Sequence, residues 1–227
     1  MFEPKPDGTE KLIDRLAAEA EPVRPLGPPF RRCIVWLLVA TVVVGGVVTT
    51  IGLRPDLAQQ MARPVHLLEW LASLLTGILS AVAAFHLGLS DRSRRWAFVP
   101  LSALIIWMAI IAYGGMTDWV RRSSQGFVLG TSFPCFVSIL MMSIPLSTAM
   151  LVMLRHAGSV RPTATIATGM LATTALAATG LTLYHPLDTL IMVLIWHGGT
   201  IALLVGLATV ARHPIFALVA PRRPSAS

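Results

Sequence analysis

Cysteine and histidine are the residues of this chain best suited to redox or metal chemistry. The 227 residues include two cysteines and six histidines. The cysteines, Cys33 and Cys135, are too few for a disulfide scaffold, and their spacing matches no zinc motif. His185 lies in the stretch "LYHPLDT", a short interruption between two apolar runs, and Asp188 follows it. Chemistry at these positions therefore depends on the elements that hold them.

Composition indicates that those elements are membrane helices. The chain is 55% hydrophobic and 13% charged, whereas a soluble domain has about 25% charged residues. A helix of about 20 apolar residues crosses roughly 30 Å of hydrocarbon with its backbone polar groups satisfied internally. Six such runs occur, at approximately 33–53, 66–90, 96–115, 132–154, 162–184 and 188–210. The sequence predicts an all-α membrane protein with six transmembrane helices in one bundle.

The distribution of basic residues predicts the orientation of this bundle. An even number of spans puts both termini on one side, and 14 of the 18 lysines and arginines lie on that side. The positive-inside rule then places both termini in the cytoplasm. The arginines cluster at span ends, so the net charge of +7 is assigned to membrane orientation, and we expect no direct contact with nucleic acid.

The segment before the first span differs from the rest of the chain because it is acidic. Six of the eleven acidic residues lie within residues 1–21. Asp7 and Glu10 form a D-x-x-E variant of the capping box, and Leu12, Ile13 and Leu16 then repeat on one helical face. We expect a short amphipathic cytoplasmic helix over about residues 8–20. The predicted organisation is a cytoplasmic segment and Pro-rich tether (1–32), the six-helix domain (33–210) and a basic cytoplasmic tail (211–227).

The apolar face of this short helix needs a cover, because isolated helices of about 12 to 15 residues or fewer are marginal in water. It would pack on the cytoplasmic loops of the same chain, lie on lipid, or bind a partner protein with a basic surface. Its acidic charge disfavours an anionic lipid surface, which attracts basic helices. Packing on the chain itself and binding to a basic partner both stay open from the residues alone.

Four ordered stretches resemble one known family. They are "KLIDRLAAEAEPVRPL" before the first span, "GLRPDLA" after it, "SAVAAFHLGLSDRSRRW" at the end of span 2, and "IWHGG" in span 6. Together they resemble the NrsF-type anti-sigma-F factors, six-span proteins of the bacterial inner membrane, over nearly the whole chain. The resemblance implies a regulator that holds an extracytoplasmic-function sigma factor of the SigF type through its N-terminal segment and releases it on a stress signal.

This resemblance favours a protein partner for the N-terminal helix. A sigma factor has basic, DNA-facing surfaces that an acidic amphipathic helix would complement. As a hypothesis, three residues make the apolar contact and three steer the helix toward a basic surface. The apolar residues are Leu12, Ile13 and Leu16, and the acidic residues are Glu10, Asp14 and Glu19.

The resemblance also implies a sensing site near the outer face, where the family is associated with two signalling cysteines. The first, at the start of span 4, matches Cys135, and the second falls in the hairpin between spans 5 and 6, where this chain has His185. That departure excludes an intramolecular disulfide at this pair. Three mechanisms stay open: a thiol/imidazole pair oxidised to sulfenic acid, a Cys/His metal site with Asp188 or a further ligand, and an intermolecular disulfide. Inert packing of Cys135 is the alternative.

Other polar residues of the spans have simpler interpretations. Cys33 lies at the cytoplasmic end of span 1 and Cys135 near the outer end of span 4, whereas a disulfide requires Cα atoms within about 7 Å, so Cys33 is interpreted as a small apolar residue. His86 and His197 would differ by about 16 Å in depth at 1.5 Å per residue, which disfavours a shared haem. His66 and Glu69 can share a helix face, and snorkelling of Glu69 to the interface is the simpler explanation.

No arrangement typical of an enzyme stands out in the sequence. We find no Ser/His/Asp set, glycine-rich phosphate loop or pair of carboxylates, and we expect neither enzymatic activity nor a bound cofactor. Two other classes stay open beside an anti-sigma factor that responds to oxidative or metal stress. One is a small transporter or metal-handling membrane protein, and the other is an electron-transfer protein.

Overall fold

The computed structural model describes residues 6–19, 27–122, 133–155, 161–185 and 198–219. All regular secondary structure within those ranges is helical. The helices are α1 (Pro6–Ala18), α2 (Pro29–Ile51), α3 (Leu57–Met61), α4 (Pro64–Leu87), α5 (Leu101–Arg122), α6 (Phe133–Met153), α7 (Pro162–Tyr184), α8 (Gly199–Val210) and α9 (Arg212–Val219). A short 3-10 helix, Arg94–Phe98, leads into α5.

Five of the six predicted spans are confirmed as helices long and apolar enough to cross a membrane. They are Pro29–Ile51, Pro64–Leu87, Arg94–Thr117, Phe136–Met153 and Pro162–Tyr184. The predicted sixth span, 188–210, contains the apolar helix Gly199–Val210 of 12 residues. Residues 188–197 lie outside the described ranges, so the count of six stays a prediction.

Helix α7 is the centre of the bundle. Of the 18-residue apolar stretch with which it could cross a membrane, 72% is buried inside the protein. Small residues along it let neighbouring backbones approach closely. Gly77 of α4 faces Leu176, and Ser73 Oγ lies 2.9 Å from Thr179 Oγ1. The threonines of α7 bond to carbonyls of their own helix, as Thr168 does to Ala164, so burying them leaves few hydroxyls unsatisfied.

Helices α2 and α6 pack on a second side of α7. Ser147 of α6 donates a hydrogen bond to Thr173 at 3.2 Å, and the Trp36 indole of α2 donates to the carbonyl of Leu146 at 3.2 Å. These contacts make α2 and α7 parallel to each other and antiparallel to α4 and α6. We call the end where α2 and α7 begin the tether end, and the end where they finish the Arg54 end.

The remaining helices close the bundle and return the chain to the tether end. Trp107 of α5 and Ile201 of α8 share a buried cluster with Ala175 of α7. Ile215 of α9 packs against the cluster that contains Cys33. Within residues 211–227, predicted as a short basic cytoplasmic tail, Arg212–Val219 form helix α9.

Candidate functional site

Helix α1 presents an uncovered apolar face. The side chains of Leu12, Ile13 and Leu16 are 55%, 59% and 59% exposed, and every residue from Gly8 to Glu19 is exposed. At 3.6 residues per turn, Glu10 lies beside one edge of this face and Glu19 beside the other, while Asp14 falls on the opposite side of the helix. Apolar side chains of this size exposed on a helix are suited to binding another surface.

The start of α1 differs from the prediction. The helix begins at Pro6, so Asp7 lies within its first turn, and the predicted cap at Asp7 was wrong. Proline favours the first helical position because its φ angle is already helical and that position needs no backbone N–H. Arg15 Nε also contacts Glu19 Oε1 at 2.9 Å, so the charge of Glu19 is partly balanced within the helix.

A polar cluster that the sequence analysis did not single out lies at the Arg54 end. Arg54 is only 8% exposed, and its Nε and Nη2 donate to the two carboxylate oxygens of Asp56 at 2.6 and 2.8 Å. Gln60 donates to Asp56 at 3.0 Å. Arg54 Nη1 also donates to the carbonyl of His185 at 3.2 Å, and its backbone N–H donates to that of Leu183 at 3.0 Å. We call these residues the Arg54 cluster.

The carboxylate of Asp56 is held in its charged form by this cluster. Its pKa lies well below the ordinary range, first because of the side-chain hydrogen bond from Arg54 and then because of the one from Gln60. Each of these bonds favours the ionised form. The Arg54–Asp56 pair is therefore an intact ion pair at neutral pH.

The ends of α6 and α7 meet at the same level as the Arg54 cluster. Ile139 of α6 and Leu181 of α7 belong to one buried cluster at this end of the bundle. The helices are antiparallel, so Cys135 and His185 each lie four residues, about one turn, farther toward the Arg54 end. The structure thus brings these two predicted positions to one level, while the side chain of Cys135 lies outside the described residues.

His185 is the predicted sensing residue whose surroundings the structure describes. His185 follows the last residue of α7 and is half-buried, and its carbonyl is held by Arg54. Asp188 lies outside the described residues. The motif "GLRPDLA" already contained Arg54 and Asp56. An arginine two residues before an aspartate was the available signal, but nothing in the sequence placed it against the end of α7.

Glu69 and Cys33, two residues of the spans that were interpreted from the sequence, are both buried. Glu69 is buried, with its carboxylate 3.9 Å from His66 Nδ1, so the predicted snorkelling of Glu69 was wrong. Its position on α4 falls on the same side as Ser73, which faces α7. Cys33 is buried in the core beside Trp36, in agreement with its interpretation as a small apolar residue.

His86 is one of the two histidines considered for a shared haem. The ring of His86 stacks on Trp96 at the tether end, with centroids 3.8 Å apart, whereas His197 lies outside the described residues. Within the described ranges, no group of three His, Cys, Asp or Glu residues is placed to hold a metal ion.

Comparison with known families decides the identity of this bundle. Residues 16–217 match the family NrsF, described as negative regulator of sigma F. The chain belongs to the NrsF family. No curated protein and no solved structure gives a match. Negative regulation of a sigma factor is the family's described role, and a sigma factor is the partner that the role implies.

The NrsF match covers the entire helical bundle and only the end of α1. It includes Leu16 and Glu19, the span helices, the Arg54 cluster and Ile215. Residues 1–15, with Leu12 and Ile13, precede the matched region. The family match therefore supports the bundle and the C-terminal part of α1, and the contact surface formed by residues 10–14 depends on the geometry of α1.

Proposed function

We propose that this protein is a membrane-bound anti-sigma factor of the bacterial inner membrane. It sequesters an extracytoplasmic-function sigma factor of the SigF type through residues 1–32, and it acts by binding rather than catalysis. The observation that carries this proposal is the exposed apolar face of α1, bordered by acidic residues, in a chain of the NrsF family. Leu12, Ile13 and Leu16 make the contact, and Glu10, Asp14 and Glu19 steer the helix toward a basic surface.

The proposed orientation puts both termini and the tether end in the cytoplasm, with six spans crossing the bilayer. It is supported by the 14 to 4 distribution of lysines and arginines. The chain also returns to the tether end at α9, whose Ile215 packs near Cys33. The Arg54 end then faces the periplasm, and α1 is placed where a cytoplasmic sigma factor can reach it.

Sensing is proposed at the outer ends of spans 4 to 6, at Cys135, His185 and Asp188. Its support is the shared level of Cys135 and His185, each about one turn beyond the buried cluster that contains Ile139 and Leu181. An imidazole beside a thiol favours the thiolate, the form that oxidants attack and metals bind. An oxidative or metal signal at this pair would release the sigma factor.

The sensing proposal is tested by Cys135→Ser and His185→Ala under hydrogen peroxide and under cadmium. We expect both variants to repress sigma-dependent transcription normally without stress and to respond weakly to at least one stressor. Met141→Ser, on an exposed part of the same helix, is the matched control and should respond fully. Full response of both site variants would leave these residues with packing roles.

The binding proposal is tested first by deleting residues 1–28, which leaves α2 complete from Pro29. We expect the truncated protein to stay in the membrane and to lose both the sigma factor and repression. Retention of the sigma factor by the truncated protein would show that the bundle, rather than the N-terminal segment, holds it.

A further inference from the structure

We propose that Arg54 is the link through which the sensing end of α7 controls α2, and through α2 the segment that binds the sigma factor. This inference rests on the proposed function and adds a residue and a route to it. It assigns Arg54 a positioning role, since Arg54 acts on α1 only through α2. Four observations on the Arg54 cluster and on α2 carry it.

The first observation is that the guanidinium of Arg54 is held in place by residues outside α7. Its paired donors hold both oxygens of Asp56, and Gln60 holds Asp56 from the next turn. A bidentate pair of this kind adds a defined orientation as well as energy. Nη1 is thereby held toward the end of α7 as part of a preformed polar unit.

The second observation is that this unit caps α7 from another part of the chain. The last carbonyls of a helix have no partner within the helix. Here Leu183 receives the backbone N–H of Arg54, and His185 receives Nη1. A positive charge at a helix C-terminus also interacts favourably with the helix dipole. The contact between the segment that follows α2 and the end of α7 thus includes the backbone of His185, one of the proposed sensing residues.

The third observation concerns the connection from Arg54 back to α2. Helix α2 ends at Ile51, and Gly52 follows with φ of 92° and ψ of 153°. This conformation is essentially restricted to glycine. Gly52 and Leu53 are the two residues between Arg54 and the end of α2. The route from the α7 cap to α2 is therefore short.

The fourth observation is that α2 is the least buried candidate span and leads directly to the tether. Only 17% of the 18-residue apolar stretch with which α2 could cross a membrane is buried inside the protein. Its contacts include the hydrogen bond from Trp36 to Leu146 and the packing of Val44 against Gly180. Pro29, its first residue, follows the tether. The buried residues of α2 form one line along the helix, and they are Cys33, Trp36, Ala40 and Val48. A shift that begins at the Arg54 end is therefore carried along α2 as a unit.

These observations give the order of events on sensing. Modification or metal binding at the Cys135–His185 level moves the end of α7, and the two carbonyls leave their donors on Arg54. The outer end of α2 is then released, and α2 shifts at Pro29, where the tether begins. The sigma factor is held while the Arg54 contacts to α7 are made and is freed when they break.

The test compares Arg54→Ala and Arg54→Lys with Arg63→Ala in unstressed cells that carry a sigma-dependent reporter. Arg63 is an exposed arginine near the same end of the bundle and serves as the matched control. Lysine keeps the charge but cannot bond to Asp56 and His185 together. We expect reporter activity to rise about tenfold for Arg54→Ala, within the roughly 5- to 150-fold range of typical coupling between sites. Arg54→Lys should also raise it, and Arg63→Ala should not.

Membrane levels and hydrogen exchange distinguish two roles for Arg54: control of α2, and simple capping of α7. At equal membrane levels, Arg54→Ala should speed exchange both at residues 52–57 and at residues 33–36, the first amides bonded within α2, whereas a purely structural cap would change only the former. If Arg54→Ala fails to accumulate, Arg54→Lys decides. Repression and exchange equal to those of Arg63→Ala would overturn the inference. A wild-type protein that does not retain the sigma factor would instead contradict the proposed function.

Discussion

At the scale of single residues, the Arg54 end depends on one backbone conformation. Gly52 has φ of 92°, and a side chain there is strained although a Cβ would meet no atom within 4 Å. We expect Gly52→Ala to destabilise the protein by about 1–3 kcal/mol through backbone strain alone. Thermal unfolding in detergent measures this. Gly199→Ala, at another open position without positive φ, is the control and should cost less. Equal midpoints for the two variants would contradict the assigned strain.

The ion pair of Arg54 and Asp56 gives a prediction about pH. Because the pKa of Asp56 is lowered on folding, its contribution is fully present above the ordinary aspartate value of about 3.9 and is lost only as the pH falls toward the lowered pKa. The stability difference between the wild-type protein and Asp56→Asn should therefore be the same at about pH 7 and about pH 5. A difference that shrinks over this interval would show that Asp56 titrates at higher pH than the cluster allows.

The sequence predicted individual residues unevenly, for physical reasons. The exposed face of Leu12, Ile13 and Leu16 follows from helical periodicity, which is a local property. The partners of Arg54 at the end of α7, Leu183 and His185, are more than 120 residues away along the chain, and no local pattern encodes that contact. Glu69 was assigned to the interface from its place near a span end, but the rotation of α4 turns it inward.

At the scale of helices, the approach of α2 to α7 depends on a missing side chain. A Cβ at Gly180 would lie 2.5 Å from Val44 Cγ1 and 3.5 Å from Met142 Sδ. We expect Gly180→Ala to destabilise the bundle by about 1–3 kcal/mol, as overpacking does. Gly46→Ala, in an open position on α2, should instead be neutral or stabilise by about 0.5–1 kcal/mol. Unfolding midpoints test the pair, and a neutral Gly180→Ala would contradict the close contact.

Helix positions were predicted well wherever apolar length alone defines them. The span predicted over 162–184 is observed as Pro162–Tyr184, with proline at its start. The start of α1 at Pro6 and the helix Arg212–Val219 were missed, because the first depends on proline chemistry and the second on packing against the core. Pairing of α6 with α7, which brings Cys135 and His185 to one level, is a tertiary property that hydropathy does not report.

At the scale of the whole molecule, the family match gives the role, negative regulation of sigma F, and the bundle has two distinct ends. Helix α1 precedes the tether end of the bundle along the chain and has an uncovered apolar face, and the Arg54 cluster lies at the other end of the bundle, beside His185. Helix α2 is the element that spans the distance between them. This arrangement suits a protein that binds a partner on one side of a membrane and responds to a signal on the other.

The central claim is that the face of α1 formed by Leu12, Ile13 and Leu16 holds the sigma factor. The most direct measurement is co-purification of the sigma factor with membrane-extracted protein in which these three residues are changed to glutamine. Burying a leucine or isoleucine is worth about 1.5–3 kcal/mol, so we expect binding to weaken by at least about 100-fold.

The matched control changes Lys11 and Ala18 to glutamine, on the opposite face of the same helix, and makes α1 more acidic. We expect this control protein to retain the sigma factor at the wild-type level or above it, because the partner surface is basic. The triple variant at Leu12, Ile13 and Leu16 should reach the membrane at a normal level and carry no sigma factor. Undiminished co-purification with that variant would contradict the account.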